Sequence, residues 1–178
     1  MPASESYPDE LRYHPEHDWA RIEGDEAVLG VTWFAVDALG ELVHFEPPDR
    51  GAIVTKDSGY GEVESVKAVS DLIAPLSGEV LEVNQKVLDA PETVNEDPYG
   101  DGWLIRVRLS NADEREQLLD VAGYKKVLEV NGKVVDAPET VNEDPYGDGW
   151  LVRIRLTNPS ERDQLLPLAG YQQVLADE

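Results

Sequence analysis

The stretch Gly61-Glu-Val-Glu-Ser-Val-Lys67-Ala-Val-Ser-Asp71, followed by Ala74-Pro-Leu-Ser-Gly-Glu-Val80, decides how this chain is read. Gly61 to Val66 and Val69 to Ala74 are strand-like runs rich in valine, and they flank a single lysine. A tight hairpin therefore carries Lys67 at its tip, with only Val66 and Ala68 as immediate neighbours. An enzyme that modifies a lysine needs it exposed, rigidly presented and free of an ion pair to adjacent residues. Lys67 meets those demands, although an exposed lysine on a hairpin is, taken alone, ordinary surface chemistry.

Outward from the hairpin the chain continues in short segments. Trp19 to Val31 reads as two strands about the turn Glu23-Gly24-Asp25. Thr32 is an N-cap for a short helix, Trp33 to Leu39, that Gly40 ends. Strand-like runs follow at Glu41 to Glu46, Ala52 to Thr55, Glu79 to Val83 and Trp103 to Leu109, separated by Gly, Pro and Asn-Asp turns. That spacing predicts an all-β barrel or sandwich. Residues 1 to 10 read as a mobile lead-in. Asn111, with Glu114 at the third helical position, predicts a closing helix whose apolar side is Leu118 and Leu119.

The C-terminal part repeats what precedes it. Residues 80–128 align without a gap on residues 127–175, with 37 of 49 positions identical at an offset of 47. Residues 1–128 are expected to form a complete domain, and 129–178 a near-copy of 82–128 without its own N-terminal half. Two copies fall short of the three or more units that stabilise a solenoid. The second copy keeps its helix signals, Asn158 as cap, Glu161 at the third position and Pro167 as terminator, but lacks a sheet partner. It can compete for the first copy's place, fill that place in a neighbouring chain as a domain-swapped dimer, or leave Trp150 and strand edges exposed.

Composition narrows the chemistry. The 178 residues carry 37 Asp and Glu against 15 Lys and Arg, a formal net charge of -22. Residues 1–128 hold 27 of the acids and 11 of the bases. Such a surface argues against nucleic acid and anionic membranes as partners. No cysteine is present, so any redox sulfur must arrive on an attached group. No window has the apolar length of a membrane span, and the N-terminus has no signal or transit pattern, which favours a bacterial cytoplasm. His14, His17 and His44 are too few for a soft metal site, and Ser65 and Ser70 lack a nucleophile elbow. The motif Asn95-Glu-Asp-Pro-Tyr-Gly-Asp-Gly102 is not a calcium loop and reads as a turn. Trp33 is expected to fill core in preference to meeting a partner.

The lysine hairpin resembles the lipoylation hairpin of glycine cleavage system H proteins. Tyr13-His-Pro-Glu-His-Asp-Trp19, Asp37-Ala-Leu-Gly-Glu41 and Asn95-Glu-Asp-Pro-Tyr-Gly-Asp-Gly-Trp103 resemble further motifs of that family, in its order and spacing, over residues 12–128. The resemblance implies a mainly β barrel-sandwich hybrid of the lipoyl/biotinyl-carrier kind with short helices, here followed by the repeated C-terminal β/α segment. It also implies a carrier and not an enzyme, with lipoate in amide linkage on Lys67. The implied partners are a pyridoxal-phosphate glycine decarboxylase, a folate-dependent aminomethyltransferase, a dihydrolipoyl dehydrogenase and the enzyme that attaches lipoate. Glu16, Asp18 and Asp71 match the acidic and polar positions that line the cleft for the loaded, cationic arm. Departures from the family pattern are Asp18, where Glu is more usual, and the apolar Trp33 and Val36. A lipoyl relay or storage protein, and an assembly module driven by the repeat, stand as alternatives.

Overall fold

Alternation along the strands sorts side chains onto two cores. In β2 (Asp18–Glu23) and β3 (Glu26–Val31), Ala20, Ala27, Leu29 and Val31 enter one cluster, while Trp19 and Val28 face a second. Both faces of β3 are thereby covered, which is why EAVLGV is nearly continuously apolar. Gly30 pairs with Trp19 across the ladder, and a Cβ on Gly30 would lie 2.6 Å from the indole ring. Only glycine leaves room there. The indole N–H donates to the Val31 carbonyl (2.9 Å) and the Pro98 carbonyl (3.1 Å), tying the loop around Pro98 to this sheet.

The computed structural model describes residues 3–128, 139–143 and 151. The remaining elements are β1 (Arg12–Tyr13), α1 (Trp33–Leu39), β4 (Leu42–Glu46), β5 (Ile53–Val54), β6 (Gly59–Ser65), β7 (Val69–Ile73), β8 (Gly78–Val83), α2 (Gln85–Asp89), α3 (Thr93–Glu96), β9 (Ile105–Leu109) and α4 (Val121–Val127). One sheet runs β1-β2-β3-β9-β8-β5 and the other β4-β6-β7, every pairing antiparallel. The larger apolar cluster collects residues of both sheets, as a mainly β sandwich requires. Among the described residues no helix is long and apolar enough to cross a membrane.

The expected hairpin at Gly24-Asp25 and the helix at Trp33 to Leu39 are present. Glu23 pairs with Glu26, and the Thr32 hydroxyl accepts the Ala35 N–H. The closing helix is not as expected. Asn111 does cap, but a 3-10 turn over Ala112–Gln117 follows, because Glu114 turns its carboxylate to Ser77, taking the backbone N–H (2.7 Å) and the hydroxyl (2.9 Å). Leu118 and Leu119 are extended, and Leu119 exchanges backbone hydrogen bonds with Tyr13. A separate helix, α4, then starts at Asp120. Nor do residues 3–10 hang free: Ala3 is bonded through its N–H to Asn95 and through its carbonyl to the Trp33 indole, and Tyr7 packs on Tyr13 and Tyr124.

The chain divides into units Met1–Leu128 and Glu129–Glu178, at the joint of the sequence repeat. In the second, Thr140–Glu143 is helical like its copy Thr93–Glu96, and the Glu143 N–H reaches Glu139 as Glu96 reaches Glu92. Surroundings differ, however: Leu104 is fully buried, whereas its counterpart Leu151 is 57% exposed. The signals at Trp150, Asn158, Glu161 and Pro167 lie outside the described residues.

Candidate functional site: a lysine hairpin and a buried acid

Ser65 builds the tip of the β6–β7 hairpin. Its N–H donates to the Ala68 carbonyl (2.8 Å), and its hydroxyl donates to that same carbonyl while accepting the N–H groups of Lys67 (3.2 Å) and Ala68 (3.1 Å). A serine at the end of a strand closes a turn this way because its short side chain reaches backbone two and three residues on. The Val66 N–H donates to Glu41, fastening the tip to the segment after α1. Lys67 is exposed and forms no ion pair with a described residue.

The lysine side chain lies across Gly40. Its Nζ is 3.3 Å from where a Cβ on Gly40 would stand, and Gly40 has φ +82°, so a side chain there would be both crowded and strained. Asn95 fixes that segment with both ends of its amide, donating to the Gly40 carbonyl (2.8 Å) and accepting the Leu42 N–H (2.9 Å). The Tyr99 hydroxyl accepts the Trp33 N–H at 2.9 Å. The Asn95 to Gly102 segment is thus more than the turn it reads as: it braces the backbone under Lys67. Asn95 and Tyr99 belong to a motif read from the sequence, but neither was given a role of its own there. The signal that could have found them is a half-apolar turn holding both an amide and a tyrosine, more polar hydrogen-bonding capacity than a solvated loop uses.

The three predicted cleft acids differ in setting. Asp18 is 2% exposed, not the solvated carboxylate that an acidic surface suggests. The Ile73 N–H, at the end of β7, bonds its carboxylate, but Oδ1 has no partner. Burial pushes the Asp18 carboxyl well above the ordinary range, and the nearby charge of Glu16 raises it further. Beside it, the buried Tyr60 hydroxyl is also without a partner, and burial with the Asp18 charge raises its pKa. Glu16 is exposed, its backbone N–H donating to His14 Nδ1 (3.2 Å), while His14 Nε2 meets Asp57 at 2.7 Å. Asp71 is exposed on β7 opposite Glu62, which in turn faces Glu46 on β4. The fold thus brings Glu16 and Asp18 near each other and ties Asp18 to the strand that carries Asp71. Tyr60, unforeseen from sequence, joins them: it abuts Asp18 electrostatically and lines a surface cavity with Asp71.

His17 faces elsewhere, its Nδ1 2.9 Å from the Tyr124 hydroxyl, and burial lowers its pKa. Among the described residues no group of three or more acids and histidines is placed to hold a metal. Trp33 is half-buried and belongs to neither apolar cluster, contrary to the core role expected of it; its polar indole N–H is drawn out to the Ala3 carbonyl at 2.9 Å.

The family model described as glycine cleavage H-protein matches residues 11–129, and again 122–178, where the repeat lies. The glycine cleavage system H protein of Symbiobacterium thermophilum is 49% identical over 117 residues, covering 66% of this chain and 91% of the relative. That of Anaeromyxobacter sp. strain K is 52% identical over 118 residues, covering 66% of this chain and 92% of the relative. The crystal structure of the H protein from Mycobacterium marinum superposes with a TM-score of 0.61 at 42% identity, covering 66% of this chain and 95% of that one. Fold, motif order and these likenesses agree, and the chain belongs to the glycine cleavage H-protein family.

Proposed function

We propose that this protein is the lipoyl-carrying shuttle of a glycine cleavage system, with lipoate in amide linkage on Lys67. The observation that carries this reading is the hairpin tip: an exposed lysine without an ion pair among the described residues, on backbone fixed by three contacts of one serine hydroxyl. Family membership makes lipoate the group to expect, and the site fits it, since the glycine at position 40 leaves the path of the Lys67 side chain open. When bound, lipoate supplies a disulfide that opens to accept an aminomethyl group and re-forms after reoxidation, the redox sulfur that a cysteine-free chain lacks.

The chain's own work is presentation and protection. Ser65 and the Val66–Glu41 bond limit the motion of the Lys67 backbone, so that successive enzymes meet the same geometry. Glu16, Asp18 and Asp71 form the acidic side toward which a cationic cargo is drawn. Asp18 is the strongest of them: a carboxylate oxygen in the interior without a partner gains most from an N–H donor. In this reading the chain is a carrier in the cytoplasm and not an enzyme. Its partners are a pyridoxal-phosphate glycine decarboxylase, an aminomethyltransferase, a dihydrolipoyl dehydrogenase and a lipoate-attaching enzyme.

Intact-mass measurement after incubation with lipoate, ATP and a lipoate-attaching enzyme tests the assignment. One lipoyl group is expected on the wild-type chain and none on Lys67→Arg. Modification elsewhere, or none beside a modified H protein as control, refutes it.

A further inference from the structure

We propose that the face of residues 1–100 on which 101–128 are seated also fits residues 148–175 of the same chain, so that the repeat replaces the first copy where the first copy no longer packs. Three side chains tie 101–128 to what precedes them. Arg106 reaches Glu23 (2.9 Å), Glu114 binds the Ser77 hydroxyl (2.9 Å), and the Tyr124 hydroxyl meets Thr32 (2.8 Å) and His17 (2.9 Å). Each recurs 47 positions on, as Arg153, Glu161 and Tyr171. Residues 144–150 and 152–178 lie outside the described residues, so their fit is read from their sequence against the surroundings of the first copy.

The differences between the copies spare this seat. Ile105 and Val107 are fully buried two residues apart on β9, in the larger apolar cluster, and the repeat has Val152 and Ile154. A methylene lost at one position is regained at the other, and volume-conserving swaps are the ones a core tolerates best. The remaining differences after Leu104 fall at exposed positions, apart from the partly buried Val121, which is matched by Leu168. The joint is equally open. Residues 89–104 and 136–151 are identical and contain the exposed turn at Gly100-Asp101. A chain that leaves the fold at Gly100 and re-enters it at Asp148 keeps every side chain up to position 104 and places residues 101–147 in a surface turn. Exposed turns accept insertions, and the closure entropy of a loop grows only with the logarithm of its length. Lys67 and its hairpin are untouched. The first copy holds the seat because it needs no such loop and because Asp120 caps α4 by accepting the Gly123 N–H (2.7 Å), where the repeat has Pro167.

The test uses the full-length chain, whose lack of cysteine lets one introduced thiol report on burial. Leu151→Cys places it where the repeat exposes a leucine, the counterpart of the enclosed Leu104. Leu104→Asp then spoils the first copy, because it would bury an unpaired charge. The rate of thiol labelling is measured for Leu151→Cys alone and for Leu104→Asp/Leu151→Cys, with light scattering of each. Exchange predicts that Leu104→Asp slows labelling by about tenfold or more, since the thiol enters the place of Leu104, in a particle of one chain. Adding Tyr171→Asp, which spoils the repeat in turn, should restore the fast rate. An unchanged rate in Leu104→Asp/Leu151→Cys overturns the proposal, whether that chain unfolds or keeps its first copy seated. Protection that survives Tyr171→Asp, or that occurs only in particles of two or more chains, overturns replacement within one chain.

Discussion

Replacing Asp18 by asparagine should make this protein more stable, and more so at neutral pH than in acid. In the wild type one carboxylate oxygen takes the Ile73 N–H, while the other is sealed in the interior without a donor. Leaving a buried acceptor unsatisfied costs about 1–3 kcal/mol, and more when it is charged. Asparagine keeps an acceptor for Ile73 and removes the buried charge. Asp18→Asn is therefore expected to gain about 1–3 kcal/mol at pH 7, which for a chain of this size raises Tm by about 2–12 °C. The sign with pH follows from the raised carboxyl. Between its unfolded and folded pKa the native state binds more protons, so wild-type stability falls as pH rises through that window and recovers as pH falls. The gap between variant and wild type should narrow toward acid. Thermal unfolding followed by circular dichroism over a pH series measures it. A variant less stable than wild type at pH 7, or a gap that does not vary with pH, would refute the reasoning.

Gly30→Ala should destabilise strongly, by about 1–3 kcal/mol or more, since its Cβ would meet the buried Trp19 indole at 2.6 Å; denaturant titration reads this. Asn95→Ala should lose about 1–3 kcal/mol through its two bonds to Gly40 and Leu42, whereas Asn142→Ala, the same residue of the second copy and exposed, should change Tm hardly at all. A chain truncated after Leu128 should keep the unfolding midpoint of the first unit and still accept lipoate on Lys67; loss of either would mean that residues 129–178 support the carrier. Ser65→Ala should slow lipoate attachment while leaving the fold, because it frees the N–H groups of Lys67 and Ala68 at the tip and not in the core.

Local rules were enough for much of the fold. The hairpin of Lys67, the Gly24-Asp25 turn and the Thr32-capped helix all follow from turn chemistry, capping and alternation, which act over a few residues. Where long-range partners compete, the reading failed. Glu114 satisfies Ser77 and not its own helix start, so the closing helix breaks in two. The N-terminal segment, polar and proline-bearing, is held by Asn95 and Trp33.

The same division runs through the site. Sequence alone determined that a lysine stands at a hairpin tip, that any redox sulfur must come from an attached group, and that residues 80–128 are written twice, because each depends on residue identity and short-range order. Tertiary structure alone decided that Asp18 is a buried carboxyl group near Tyr60 and not a surface charge, and that the Lys67 side chain lies across Gly40. The repeat makes the reason plain. Thr93–Glu96 and Thr140–Glu143 are helical alike, since local propensity travels with the sequence. Burial does not travel with it: Leu104 is enclosed and Leu151 exposed, because burial belongs to the partners that surround a residue and not to the residue itself.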